Sequence, residues 1–184
     1  MKTTLRVLLV FLILFSCKRK VKTPINIRTN FTKEESRILN TAKTIIKKAY
    51  FGTFITVDKK GQPKARIMEP FAPNKAFVIW LATNPKSRKV QEIKDNPSVA
   101  LHYFDKESLS YVSFVGTAFL IDDEAIKSKK FKKGWNQFYK NQKEAYLLIK
   151  FIPKTLELIS VSNQFSGDSI TWKPHLVSLR KEGH

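Results

Sequence analysis

The sequence predicts an α+β fold: a small, mainly antiparallel β-barrel with peripheral helices. Three observations carry this reading. Strand-like segments outnumber helical ones. Most neighbouring strands are joined by turn chemistry. Only one strand-helix-strand unit occurs, where a doubly wound parallel sheet would repeat that unit several times. With 184 residues, 42% apolar and 12% aromatic, the chain supplies one hydrophobic core.

The first sixteen residues stand apart from that core. Lys2 and Arg6 precede an apolar run from Val7 to Phe15 that stops at Ser16-Cys17, the architecture of an export signal. The run is too short for a permanent span, which needs ~20 apolar residues to cross ~30 Å of hydrocarbon. Leu14-Phe15-Ser16-Cys17 is similar to a bacterial lipobox, in which the cysteine is lipidated and becomes the first mature residue. Cys17 is the only cysteine, so no intrachain disulfide exists and an acyl anchor explains the unpaired thiol. The expected organisation is a signal peptide over 1–16, a lipidated Cys17 with a polar tether over 17–31, and one domain over 32–184. The expected location is the bacterial cell envelope, with the protein held to a membrane by lipid, on the periplasmic face.

Thr32-Lys33-Glu34-Glu35 has capping-box spacing, and Ile38, Ala42, Ile45, Ile46 and Ala49 follow at helical period. Thr53 to Val57 and Lys64 to Glu69 read as strands around the turn Asp58 to Pro63. Ala76 to Thr83 is an apolar run expected to be a buried strand, and Asn84-Pro85 opens a short helix reaching about Lys94. Ser98 to Phe104 and Leu109 to Ile121 read as paired strands, with Gly116 marking a bulge or close approach. Asp122 to Tyr139 reads as a helix whose aromatic face holds Phe131, Trp135 and Phe138. Tyr146 to Ile152 and Thr155 to Val161 read as a hairpin across Pro153, followed by a last strand near Trp172 or over Leu176 to Leu179.

The formal charge is +19, and it falls by two, to +17, without Lys2 and Arg6. Basic runs at Lys18 to Lys22, Lys43 to Lys48 and Lys127 to Lys133 read as solvated faces and as attraction to anionic lipid. No nucleic-acid motif accompanies them, so no nucleic-acid partner is expected. Neither the three histidines nor the cysteine show metal-ligand spacing, and no Gly-x-Ser-x-Gly elbow, P-loop or dinucleotide fingerprint occurs. Glu69, Asp105, Asp122 and Asp123 sit where strand ends and turns account for them.

Thr83-Asn84-Pro85-Lys86-Ser87-Arg88-Lys89 lies between a buried strand and a helix start, where free backbone donors, hydroxyls and cations converge. That is a phosphate site in outline, with Arg88 offering a planar fork and Lys89 a point charge; a capped helix with solvated charges accounts for the same residues.

The wider pattern Thr83-Asn84-x-x-Ser87-Arg88-Lys89-x-x-x-Ile93-x-x-Asn96-Pro97-x-Val99-x-Leu101 resembles the flavin-phosphate segment of pyridoxamine 5'-phosphate oxidases. Thr53-x-x-x-Val57-Asp58-x-x-Gly61-Gln62-Pro63, then Arg66-Ile67-Met68, resembles that family's preceding strand pair, and Val115-Gly116-x-Ala118 extends the likeness. The resemblance implies a Greek-key split barrel, a homodimer, and FMN held at the subunit interface. It implies phosphate contacts from Arg66, Ser87, Arg88 and Lys89, and ribityl or ring contacts from Ile67, Met68, Ala82 and Thr83. Tyr111 stands where the oxidase has a glutamine, and Trp172 is the counterpart of a late tryptophan placed against the flavin. The oxidase's C-terminal Trp-Arg-x-x-Arg-Leu block is absent from Ser166 to His184, so pyridoxamine phosphate oxidation is not implied. The remainder resembles the general-stress-protein branch. Two functions stay open: an FMN-dependent oxidoreductase of unidentified substrate, and a non-catalytic flavin or haem carrier of the envelope, although His102, on a strand, reads as a packed and hydrogen-bonded histidine rather than a haem ligand.

Overall fold

The computed structural model describes residues 26–181. The signal segment, Cys17 and the tether up to residue 25 lie outside the described residues. Residues 26–31, expected within the tether, are docked on the domain. Ile27 bridges Arg180, and Arg28 forms an ion pair with Glu35 at 2.7 Å. Glu35 and Thr32 complete the capping box that starts helix α1 (Lys33–Ala49).

The strands are β1 (Gly52–Val57), β2 (Pro63–Met68), β3 (Ile79–Thr83), β4 (Ser98–Asp105), β5 (Ser110–Ile121), β6 (Leu147–Ile159) and β7 (His175–Ser178), with α2 (Arg88–Asp95) between β3 and β4. All ladders are antiparallel, in the order β2-β1-β4-β5-β6-β3, and β7 also pairs with β6. The α+β, mainly antiparallel architecture is therefore present as an open seven-stranded sheet whose edges are β2 and β3. The stripe Ile38, Leu39, Ala42, Ile45 and Ile46 of α1 is buried in the same core as Leu101, Tyr103 and Phe114 from β4 and β5. Long apolar alternation on β4 and β5 makes that face continuous.

Four expected elements differ. The hairpin across Pro153 is one strand, β6, because the proline lies between the stretch paired with β3, ending at Phe151, and the stretch paired with β7, starting at Thr155. On its other side it stands opposite Gly116 of β5, at the register shift, an irregular point of the ladder of the kind where proline is tolerated. The apolar run from Ala76 is a buried turn before it is a strand: Asn74 Oδ1 accepts the backbone N–H groups of Ala76 and Val78, and Phe77 takes a φ of 58°. The expected helix over 122–139 is a short helix, α3 (Glu124–Lys129), followed by a 3-10 turn over Lys133–Gln137. Gly134 disfavours helix there by about 1 kcal/mol. Burial of the Trp135 ring against Phe71, Phe131, Tyr139 and Tyr146 outweighs regular helix. The helix expected to open at Asn84-Pro85 starts at Arg88 with Ser87 as its N-cap, because Asn84 closes a turn instead. Of the two places expected for the last strand, the one over Leu176 to Leu179 is present as β7, and Trp172 belongs to a turn closed by Asp168.

Gly116 sits where β5 and β6 shift register. A Cβ there would meet Ile152 O at 2.3 Å and the Pro153 Cα at 2.6 Å, so backbone would have to move. Gly116→Ala is expected to lower the unfolding free energy by about 2–3 kcal/mol, the cost typical of overpacking, as read by urea titration. A loss below about 0.5 kcal/mol would show that the two strands separate freely at this point.

Candidate functional site

A cleft of about 430 Å³ opens where the edge hairpin, the end of β3 and the 3-10 turn meet. The hairpin supplies Arg66, Ile67 and Met68, followed by Glu69. The chain leaving β3 supplies Ala82, Thr83, Asn84 and Ser87, and the first turn of α2 supplies Lys89. Trp135, Phe138, Tyr139 and Phe51 form the aromatic side of the cleft.

The floor is ordered by one buried carboxylate. Glu92 on α2 accepts from the Thr56 hydroxyl and, at 2.9 Å, from Arg66 Nη2, both at Oε2. Arg88 Nε lies 2.8 Å from Oε1 as an ion pair out of hydrogen-bond alignment. Burial pushes the Glu92 carboxyl up, but the Thr56 and Arg66 hydrogen bonds outweigh it and hold it below its usual range.

Beside this group, Lys89 Nζ donates to Thr83 Oγ1 at 3.1 Å, and Thr83 Oγ1 lies 2.9 Å from Ser87 Oγ. Ser87 is the N-cap of α2 yet makes no side-chain cap bond, and the first turn carries no acidic residue. Its hydroxyl pairs with Thr83 instead, so no side chain caps the backbone N–H groups of the helix start, which lie beside the cleft. Burial first, and then the neighbouring Arg66 charge, lower the Lys89 pKa against the opposing pull of Glu92.

On the opposite wall Glu69 accepts from Tyr50 Oη at 2.5 Å, Lys132 Nζ at 2.7 Å and Trp135 Nε1 at 2.7 Å. These bonds fix the indole edge at the cleft.

The structure therefore brings together seven of the ten expected cofactor residues: Arg66, Ile67, Met68, Ala82, Thr83, Ser87 and Lys89. Arg88 adjoins the cleft through Glu92 but does not line it, and its side chain is 69% exposed. Tyr111 is half-buried on β5 with its ring 5.4 Å from His102, outside the cleft of one chain. Trp172 is 78% exposed in the 168–173 turn, also outside it. His102 Nδ1 is 2.7 Å from Ser113 Oγ, a packed and hydrogen-bonded strand histidine. Among the described residues no group of three or more His, Cys, Asp or Glu is placed to hold a metal. The aromatic spacing of Phe131, Trp135 and Phe138 was the available signal for the aromatic wall. Glu69, read as a strand end, gave no signal, because its partners are 19 to 66 residues away.

Over residues 38–160 the chain matches the family model described as Pyridoxamine 5'-phosphate oxidase. Among solved structures it is similar to General Stress Protein 26 from Bacillus anthracis str. Sterne, with 24% identity over 78% of this chain and 99% of that one, at a TM-score of 0.62. It is similar to a Clostridium acetobutylicum protein related to general stress protein 26, with 18% identity over 80% and 97% of the two chains and a TM-score of 0.65. It is also similar to a pyridoxamine 5'-phosphate oxidase-related, FMN binding protein from Nostoc punctiforme, with 12% identity over 83% and 99% and a TM-score of 0.58. No curated protein matches the chain.

Glu69 gives the site a pH signature. Burial raises its carboxyl pKa, but the hydrogen bonds from Lys132, Tyr50 and Trp135 win and hold it at about 2. A folded-state pKa below the unfolded value means that the stabilisation is complete above the unfolded pKa and is lost as pH falls from about 4.5 towards 2. By linkage the loss is of the order of 3 kcal/mol. Stability measured by denaturant titration should fall across that window, and Glu69→Gln should flatten the fall. An identical acid profile in the variant would remove Glu69 from the account.

Proposed function

The chain belongs to the pyridoxamine 5'-phosphate oxidase family, and on that premise we propose that its cleft binds FMN and that the protein is an FMN-dependent oxidoreductase. The observation that carries the reading is the meeting of Arg66 from β2 with Thr83, Ser87 and Lys89 from the β3–α2 connection, residues distant in sequence, at one opening. Arg66 and Lys89 against Glu92 leave one uncompensated positive charge on the floor, and the exposed Arg88 adds a second at its margin, a balance that favours a phosphate. The volume lies within the range of small-molecule pockets, about 300–1,000 Å³. The aromatic wall of Trp135, Phe138 and Tyr139 suits a planar ring system.

In this reading Lys89 and Ser87 hold the phosphate, Arg66 adds a donor oriented by Glu92, and Met68 and Ala82 pack against the ribityl chain and ring. Bound FMN would supply the hydride or electron transfer through its own ring. The protein's part is to bind, to orient and to exclude water on the Trp135 side. Glu69 remains ionised at neutral pH and so acts as a fixed acceptor for the indole rather than a proton donor. A carrier role without catalysis is the second reading, favoured by the same locking of Glu69 into three hydrogen bonds.

Ile67, Phe51 and Phe138 are exposed at the mouth of the cleft, which supports a homodimer that closes it with a second copy. Such a dimer gives Tyr111 and Trp172 a route to a flavin they do not reach within one chain. The lipobox-like Leu14-Phe15-Ser16-Cys17 supports an envelope protein anchored through Cys17.

Three outcomes test these readings. The purified protein should show flavin absorption bands. Lys89→Ala should weaken FMN by about tenfold to a hundredfold, equivalent to roughly 1.5–3 kcal/mol for a charge-assisted contact, and leave riboflavin binding unchanged, as read by fluorescence quenching. Equal FMN affinity in variant and wild type would sink the phosphate assignment. For the anchor, Cys17→Ser should move the protein from the membrane fraction to the soluble one, and a wild-type protein already soluble and unacylated would contradict it.

A further inference from the structure

A second cleft, of about 360 Å³, lies between the C-terminal half of α1 and the segment that follows Glu69. Its walls are apolar: Ile46 from the helix, and Phe71, Ala72 and Pro73 from the loop. Tyr50 and Lys132 separate it from the flavin cleft, because both are engaged by Glu69, which lines that other opening. Two features are left open here. Lys43 and Lys47, one turn apart on α1, line the cleft, and neither forms an ion pair among the described residues. Like charges at this spacing repel. Lys47 gains from the helix C-terminus, whereas Lys43 lies a turn before it and has only the Phe77 ring, at 5.4 Å. The second feature is Tyr103, which also lines the cleft. Its side chain is 1% exposed and its hydroxyl has no hydrogen-bond partner. A buried hydroxyl left unpaired is costly. Gly52 makes room for that ring: a Cβ there would stand 3.1 Å from Tyr103 Cε1.

We propose that this cleft is a binding site, independent of the flavin site, for an amphipathic organic anion of the aryl carboxylate or sulfonate class. Lys43 and Lys47 receive the anionic group, the Phe71 and Pro73 side and Ile46 hold the apolar body, and the Tyr103 hydroxyl donates to an acceptor atom carried on it. Charge complementarity selects this class over a neutral apolar molecule, and the apolar walls select it over a bare inorganic anion.

The test titrates the full-length protein calorimetrically with 8-anilinonaphthalene-1-sulfonate as the probe. Wild type should bind saturably. The double variant Lys43→Ala/Lys47→Ala should weaken binding about tenfold or more, as expected for lost charge-assisted contacts. Tyr103→Phe should weaken it severalfold without lowering the melting temperature, since the hydroxyl removed has no partner in the fold. Lys89→Ala, in the flavin cleft, should leave the probe's affinity unchanged. The neutral analogue N-phenyl-1-naphthylamine should bind more weakly and be indifferent to the lysines. Equal affinity in the double variant, loss of binding in Lys89→Ala alone, or no saturable binding would each overturn the proposal, and none of these results bears on whether FMN occupies its own cleft.

Discussion

The Glu92 carboxylate is the interaction on which the floor of the cleft depends. Its side chain is 4% exposed, and taking a carboxylate out of water costs several kcal/mol unless its oxygens are occupied. Here Thr56 comes from β1, Arg66 from β2 and Arg88 from the start of α2. One buried charge thus ties the edge hairpin to the helix that follows β3. Among the described residues the hairpin's outer strand has β1 as its only ladder partner, so this tie supplies what the sheet does not. It also fixes the direction of the Arg66 guanidinium, whose Nη1 goes to Thr56 and Nη2 to Glu92. Removing Glu92 would leave two arginines and a lysine facing one another in a partly buried place. The floor is therefore pre-organised rather than assembled when a ligand arrives.

The opposite wall is built on the same logic from different material. Trp135, Tyr146, Leu148 and Ala82 form a small core of their own, packed by Phe71, Phe131 and Tyr139, beside the main core under α1. An indole N–H buried in such a cluster needs an acceptor, and Glu69 supplies it. The cleft thus runs between two carboxylates, each held ionised by its neighbours. One orients cations and the other orients an aromatic wall. This division gives the cleft an electropositive end and an apolar side, an arrangement suited to a phosphate on a flat ring.

Local signals in the sequence were legible where the determining contacts are local. The Thr32–Glu35 capping box and the turn between β1 and β2 rest on contacts within a few residues, and both are present, whereas Asn84, expected as a helix cap, closes a turn and α2 begins only at Arg88. The Gly116 irregularity was also readable, because only glycine admits the Ile152 carbonyl so close. Pro153 misled because its tolerance depends on which strands flank β6, a property of topology rather than of the peptide. The helix over 122–139 misled because its aromatic face was assigned the helical period, whereas its rings gather into one cluster around a 3-10 turn. The cation floor was found through its resemblance to a family pattern. Glu92, which organises that floor, was not singled out, since a glutamate inside a helix gives no sign that it will be buried.

The basic runs show most directly how one-dimensional charge misleads. Read as solvated faces, Lys127 to Lys133 instead contain structural cations: Lys127 is 4% exposed and pairs with Asp122 and Glu124 at 2.9 and 2.8 Å. Lys130 lies 4.8 Å from the Trp80 ring centroid, and Lys132 reaches Glu69 while lying over Phe71 and Trp135. These ammonium groups bind the small aromatic core together through ring faces and carboxylates. The lysines of α1 behave differently because a regular 3.6-residue period commits one face to the core and leaves the other in solvent. Lys130 and Lys132, between α3 and the 3-10 turn, are carried over rings that need covering, whereas Lys43, Lys47 and Lys48 stand on the exposed face of α1 with fewer contacts, one ring for Lys43 and Asp105 for Lys48, so the geometry of the element decides how far the charge is spent within the fold.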